Sequence, residues 1–282
     1  MRERKWEELN RDCLVEVLRR LGIEALLMQV PLVCRSWYEA SLDPICWKNL
    51  NFHTLSSFRP SPARLRPPFR SVSFYNFFTI PKKEDLDVVT AFVRFVVDRS
   101  HRSATTLVVA DFFTEQALEY ASEQCPELKW LYLPRDFMLG VVEHIPQFIG
   151  RWESLELLYV EGCSYLDKIL TPISTNCQKF FALCCNHVEI SDEAAILLVK
   201  LASKVKYLRI SVSQISRDNL EMLLEGCKHL KLLCFEYFDG VDDVIFGVGF
   251  TSHIMSLFMK DPMLQDCCYE DLFPSKDKLV YL

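Results

Sequence analysis

Between Ala104 and Phe235 the chain repeats one apolar spacing, Leu-x-x-Leu-x-Leu, at a nearly constant interval, and a period held that closely leaves few folds open. The pattern starts at Ala104 (with Leu107 and Val109), Leu128 (Leu131, Leu133), Leu155 (Leu158, Val160), Phe180 (Leu183, Cys185), Val205 (Leu208, Ile210) and Leu230 (Leu233, Phe235), in steps of 24, 27, 25, 25 and 25 residues. Three residues ahead of the later starts stand Cys125, Trp152, Cys177, Ala202 and Cys227, so a small or apolar group recurs at one structural position. Alternation inside the pattern predicts a short strand. Between strands, apolar stripes at helical spacing follow polar residues suited to capping: Thr114 ahead of Ala117, Leu118 and Ala121; Ser191 ahead of Ala194, Leu197, Leu198 and Leu201; Ser216 ahead of Leu220, Leu223 and Leu224. One strand–helix unit cannot cover its own apolar face, so the units must stack on one another.

A period near 25 with a cysteine just before the strand resembles the cysteine-containing class of leucine-rich repeats. That resemblance implies a curved solenoid of strand–helix repeats over residues 69–239. Phe69, Val72 and Phe74 read as a degenerate first strand, followed by an amphipathic helix through Leu86, Val89, Phe92, Val93 and Val96. Beyond Phe235 the pattern fades, and residues 240–282, with Asp242, Asp243 and the Phe246-Gly-Val-Gly-Phe250 segment, are expected to cap the last repeat. An ordinary doubly wound α/β domain also alternates strand and helix and is the competing reading, although it requires neither a constant period nor a recurrent cysteine.

The first fifty residues follow a different rule. Leu14, Val17, Leu18 and Leu21 lie at i, i+3, i+4 and i+7, an apolar stripe along a helix for which Asn10 is the N-cap and Gly22 the stop. A short middle segment (Leu26, Leu27, Val30) leads to Pro31, placed where a first helical turn tolerates proline, then to Val33, Trp37 and Ala40 on one face. Asp43-Pro44 opens a last turn carrying Trp47 and Leu50. In Leu9, Leu14, Val17-Leu18, Leu21, Val33-Cys34-Arg35-x-Trp37 and Asp43-Pro44-x-x-Trp47 this segment resembles the F-box, with Asn10 standing where that family prefers proline. Together the two resemblances are to the plant-type F-box/leucine-rich-repeat proteins. They imply an α/β chain with a three-helix F-box at residues 5–52 that docks a Skp-type adaptor and, through it, a cullin scaffold of a ubiquitin ligase. A lobe this small leaves apolar surface uncovered. Leu9, Leu14, Val17, Leu18, Leu21, Val33, Trp37 and Trp47 are the residues expected at that interface, some of them shared with the lobe's own core.

Residues 53–68 contain Pro60, Pro62, Pro67 and Pro68 with Arg59, Arg64 and Arg66, and read as a linker. Basic and acidic residues balance before this stretch, and it carries no acidic residue itself. The acidity behind the chain's net charge of −6 therefore belongs to the C-terminal part, where residues 84–282 hold 18 basic and 30 acidic residues, a net of −12. A solvated tether is the expected role of the basic stretch, ahead of a nucleic-acid contact. No uninterrupted apolar run is long enough for a membrane span, and Met1-Arg-Glu-Arg-Lys5 precedes no signal-peptide core, so the expected setting is intracellular, nucleus or cytoplasm. The 12 cysteines occupy apolar pattern positions rather than a compact secreted framework and are read as reduced.

No catalytic constellation emerges. The six histidines lack metal-ligand spacing, Cys184-Cys185 and Cys267-Cys268 are adjacent rather than two apart, and no phosphate-binding glycine loop is present. The expectation is a non-enzymatic chain with no cofactor and no metal, ligase chemistry belonging to its partners. Recognition should then sit where strand residues point away from the buried pattern positions. Trp130, Tyr132, Tyr159 and Tyr207, with Glu161, Arg209 and Glu236, form the expected target-binding set, an aromatic patch with an acidic edge suited to a protein segment with basic residues beside apolar ones. Loops or the C-terminal segment folding over this patch would instead make it core. A repeat protein that binds partners without delivering them for degradation, or a receptor holding a small molecule on the same face, are the alternative functions.

Overall fold

The computed structural model describes residues 9–56, 83–134, 144–227 and 232–239. The described residues fall into two compact units, one before Lys129 and one from Lys129 onward.

The first unit opens with helix α1 (Arg11–Leu18), where the Asn10 side chain accepts the Asp12 N–H at 2.9 Å. The expected stop at Gly22 comes early. The backbone tightens after Leu18, with Arg20 and Leu21 N–H groups bonding Val17 and Leu18 carbonyls, and Gly22 instead precedes helix α2 (Ile23–Met28) as its N-cap. Pro31 lies in a 3-10 turn, Val30–Leu32, ahead of helix α3 (Arg35–Ser41). Asp43 then caps the turn Pro44–Trp47 by accepting the Ile45 N–H, and its other oxygen meets Arg11 at 3.2 Å. Leu18, Ile23, Leu26, Trp47 and Leu50 fill the middle of this lobe, and the indole N–H of Trp47 donates to the Ser41 carbonyl at 2.7 Å.

The lobe runs straight into a sheet. Strand β1 (Asn49–Asn51) pairs in parallel with strand β2 (Thr106–Val108), Leu50 opposite Leu107. Between them lie helix α4 (His53–Ser56) and helix α5 (Lys83–Asp98), and after β2 comes helix α6 (Glu115–Gln124), capped by Thr114. Helix α5 buries Val89, Val93 and Val96, and α6 buries Ala117, Leu118 and Ala121, as their spacing predicts. The strand beside β2 thus comes from the end of the N-terminal lobe. Phe69, Val72 and Phe74, read as a first strand, lie outside the described residues, as do residues 57–68 and 240–282.

In the second unit, strands β3 (Trp130–Leu133), β4 (Leu157–Glu161), β5 (Ala182–Asn186), β7 (Tyr207–Ile215) and β8 (Leu232–Asp239) pair in parallel in that order. Helices α7 (Ile145–Ile149), α8 (Leu166–Asn176), α9 (Asp192–Leu201) and α10 (Arg217–Gly226) separate them, and a two-residue strand β6 (Glu189–Ile190) flanks β7. Leu131, Leu158, Leu183, Leu208 and Leu233 stand opposite one another across the sheet, and so do Leu133, Val160, Cys185, Ile210 and Phe235. The sequence period is therefore the register of the sheet: each interval returns the backbone one strand over at the same height. A second regularity accompanies it. The carbonyl of Lys129 accepts both the Glu156 and Leu157 N–H groups, that of Glu156 accepts Phe181 and Ala182, and that of Phe181 accepts Lys206 and Tyr207.

Helix starts follow the sequence reading, Ser191 accepting the Ala194 N–H and Ser216 the Asn219 N–H, both at 3.2 Å. At the end of α10, a Cβ placed on Gly226 would come within 2.5 Å of a Val199 methyl on α9. Gly226→Ala is accordingly expected to lower stability by about 1–3 kcal/mol through overpacking. Adding Val199→Ala should recover part of that loss, and thermal melts of the single and double variants check the pair.

Candidate interaction surfaces

The N-terminal lobe sorts its apolar residues into two groups. Leu14, Leu18 and Trp47 are buried within it, whereas Leu9, Leu21 and Trp37 are half-buried. Val17 is 46% exposed, Val33 54% and Leu32 77%, with Tyr38 also exposed. A helix of two turns can direct only part of a wide stripe inward, and on α1 the inward part is Leu14, Val15 and Leu18, which leaves Val17 on the flank. Leu32 and Tyr38 were not among the sequence candidates. The usable signal for Leu32 was its place beside Val33 just after Pro31: two apolar residues in a tight turn cannot both face one core. The surface carries charge as well, in the Arg35–Glu39 pair at 2.7 Å and the Arg19–Glu16 pair at 2.6 Å.

The second surface is the face of the β3–β8 sheet opposite the pattern leucines. Tyr132 and Tyr159 are in register on β3 and β4 and stack with ring centroids 4.7 Å apart and planes 26° from parallel. The Tyr132 hydroxyl donates to Glu161 at 2.9 Å, and Asn186 Nδ2 lies 3.5 Å from the Tyr159 hydroxyl. Both rings are closed off, at 6% and 9% exposure, each stacked against one face of the other. Ala182 sits between Leu157 and Tyr207 in the register, and Cys184 between Tyr159 and Arg209, so the tall side chains bury the short ones. Trp130, Glu161, Tyr207 and Arg209 remain half-buried, and Tyr207 meets Phe181 edge to face at 6.0 Å. Glu236 stands opposite Ser211 on β8, and its side chain lies outside the described residues.

The recurrent cysteines end their helices. Cys125, Cys177 and Cys227 close α6, α8 and α10, each bonding its N–H to the carbonyl four residues back, and all three are buried. The Cys177 thiol points to the Trp152 carbonyl at 3.3 Å, and Trp152 fills the corresponding place one unit earlier. Burial pushes the Cys125 thiol up to about 12 and those of Cys177 and Cys227 to about 11, so these positions hold neutral thiols and supply packing rather than nucleophiles. Among the described residues, no group of three or more His, Cys, Asp and Glu side chains could hold a metal ion, and no helix is long and apolar enough to cross a membrane.

A family model for the F-box domain matches residues 6–49, the helices and turn of the N-terminal lobe. Across 82% of its length the chain is 29% identical to an F-box/LRR-repeat protein of Arabidopsis thaliana, 72% of which is covered. It is 24% identical over 82% of its length to F-box/LRR-repeat protein 23 of the same plant, spanning only 47% of that relative, and 24% identical over 81% to F-box protein SKIP19, spanning 68%.

Proposed function

We propose that this chain, which carries an F-box domain at residues 6–49 and is homologous over most of its length to F-box/LRR-repeat proteins, is a substrate-recognition subunit of a Skp–cullin–F-box ubiquitin ligase. The F-box match carries the proposal, together with the uncovered apolar surface of that lobe. F-box domains bind Skp-type adaptors, and Val17, Leu32, Val33 and Tyr38, edged by half-buried Leu9, Leu21 and Trp37, supply the anchors such a partner would cover. Leu14, Leu18 and Trp47 act one step removed, by holding the lobe in shape.

The repeat units form a leucine-rich-repeat solenoid, a reading supported by the constant register of β3, β4, β5, β7 and β8 and by the names of the relatives. Its sheet face holds the target. Trp130, Tyr207, Arg209 and Glu161 make contact, Tyr132 and Tyr159 form the stacked floor beneath, and Glu236 adds negative charge at one side. A target segment pairing basic with apolar residues suits this surface, because opposite charge speeds encounter and aromatic burial slows release. The chain contributes no bond-making step; it brings a target to a cullin-bound conjugating enzyme.

Capture with the proteasome blocked tests the target half. Proteins recovered on the adaptor-bound chain and identified by mass spectrometry are expected to be lost with Trp130→Ala, at about 2 kcal/mol or more for a buried anchor. Equal recovery by Trp130→Ala and Tyr207→Ala would move recognition away from this face.

A further inference from the structure

We infer that the F-box of this chain is not an independent domain: residues 9–56 and the first strand–helix repeat, residues 83–128, open and close as one cooperative unit, with β1 as the shared element. The hydrogen bonds carry the argument first. At three successive joints of the second unit the carbonyl just ahead of one strand accepts two consecutive N–H groups of the next repeat, as the Lys129, Glu156 and Phe181 carbonyls do. The Lys48 carbonyl does the same for Thr105 and Thr106, at 2.8 and 3.1 Å, so the tail of the F-box occupies the position of a repeat strand. Asn49, Leu50 and Asn51 continue the ladder against Thr106, Leu107 and Val108, and the Phe52 N–H closes it on the Val108 carbonyl at 3.0 Å.

Side chains lock the same joint. Phe52 is fully buried and meets Phe113 edge to face at 4.9 Å and Phe92 on α5 at 6.3 Å. On the other side of β1, Trp47 belongs to the F-box core, and the guanidinium of Arg99, just past α5, lies 5.1 Å from its ring centre. Removing the repeat would strip Phe52, Leu50 and one face of Trp47. Removing the F-box would leave β2 without this ladder and open the aromatic cluster. Neither half can then unfold without exposing the core of the other, which is the condition for a shared opening free energy. A partner that binds the N-terminal lobe must consequently stabilise the first repeat by the same amount.

Two buried thiols report on the two halves: Cys46 in the F-box core and Cys125 at the end of α6. In the full chain, native-state alkylation followed by peptide mass spectrometry reads the opening that exposes each. Ala121→Gly in α6 should speed alkylation of both thiols by about fivefold, the ratio equivalent to about 1 kcal/mol of helix propensity. Ile23→Val in the F-box, also a mild change, should do likewise. Acceleration confined to Cys125 in the first variant, or to Cys46 in the second, would overturn the inference and make the F-box a separately opening domain.

Discussion

Replacing Leu32 and Val33 together with aspartate is expected to abolish adaptor binding while the chain stays folded. Both residues are more than half exposed, so neither substitution opens a cavity or buries a charge in the free protein. Against an apolar adaptor groove the same carboxylates would be buried without partners, each costing several kcal/mol. The expected loss of affinity is at least about a hundredfold, with a melting temperature close to that of the unaltered chain. Leu18→Asp provides the contrast. Its side chain is fully buried in the lobe, so it should lose binding and folding together. Titration calorimetry with a purified Skp-type adaptor, paired with thermal melts, separates the two cases. Full affinity in a folded Leu32→Asp/Val33→Asp chain would move the docking surface elsewhere on the lobe.

The recurrent cysteine position gives the second large effect. Cys177→Arg should destabilise the second unit by about 4 kcal/mol or more, because a cation with no partner would replace a buried thiol where α8 closes against the preceding unit. Cys177→Ala should cost only about 1 kcal/mol, through a small cavity and the lost contact to the Trp152 carbonyl. That Trp152 and Ala202 occupy the equivalent place in other units shows that the position requires an apolar group rather than sulfur chemistry. Urea unfolding followed by tryptophan fluorescence checks the ranking. A stoichiometric zinc ion in the purified protein would contradict it.

The repeat was legible in the sequence because spacing and register are the same quantity here: a constant return distance brings Leu131, Leu158, Leu183, Leu208 and Leu233 to one height. Caps were legible for a local reason, since Asn10, Thr114, Ser191 and Ser216 act on N–H groups within three residues. What depends on tertiary neighbours was not. A stripe of four apolar residues does not reveal that α1 ends before Leu21, because the end is set by the turn that delivers Ile23 to the core. A three-residue strand at Asn49–Asn51 carries almost no periodicity, and only its partner β2 identifies it.

The candidate sites show the same division. Residue type marked Tyr132 and Tyr159 as aromatic anchors, but both are largely closed to solvent and stack on each other, a pairing across strands 27 residues apart. In the lobe, the eight adaptor candidates divide between core and surface along a line that helix length and packing draw, and Leu32, the most exposed of the large apolar residues described, matched no template.

The central claim is that one chain joins a cullin scaffold through its N-terminal lobe while its repeat face stays available. Its most direct test is the mass, by light scattering after gel filtration, of the full chain mixed with a Skp-type adaptor and the N-terminal half of a cullin. The account predicts a single species containing one copy of each, formed equally well by Trp130→Ala and Tyr207→Ala but not by Leu32→Asp/Val33→Asp. Separate elution of the unaltered chain, or a complex that the repeat-face substitutions abolish and the lobe substitutions leave intact, would contradict it.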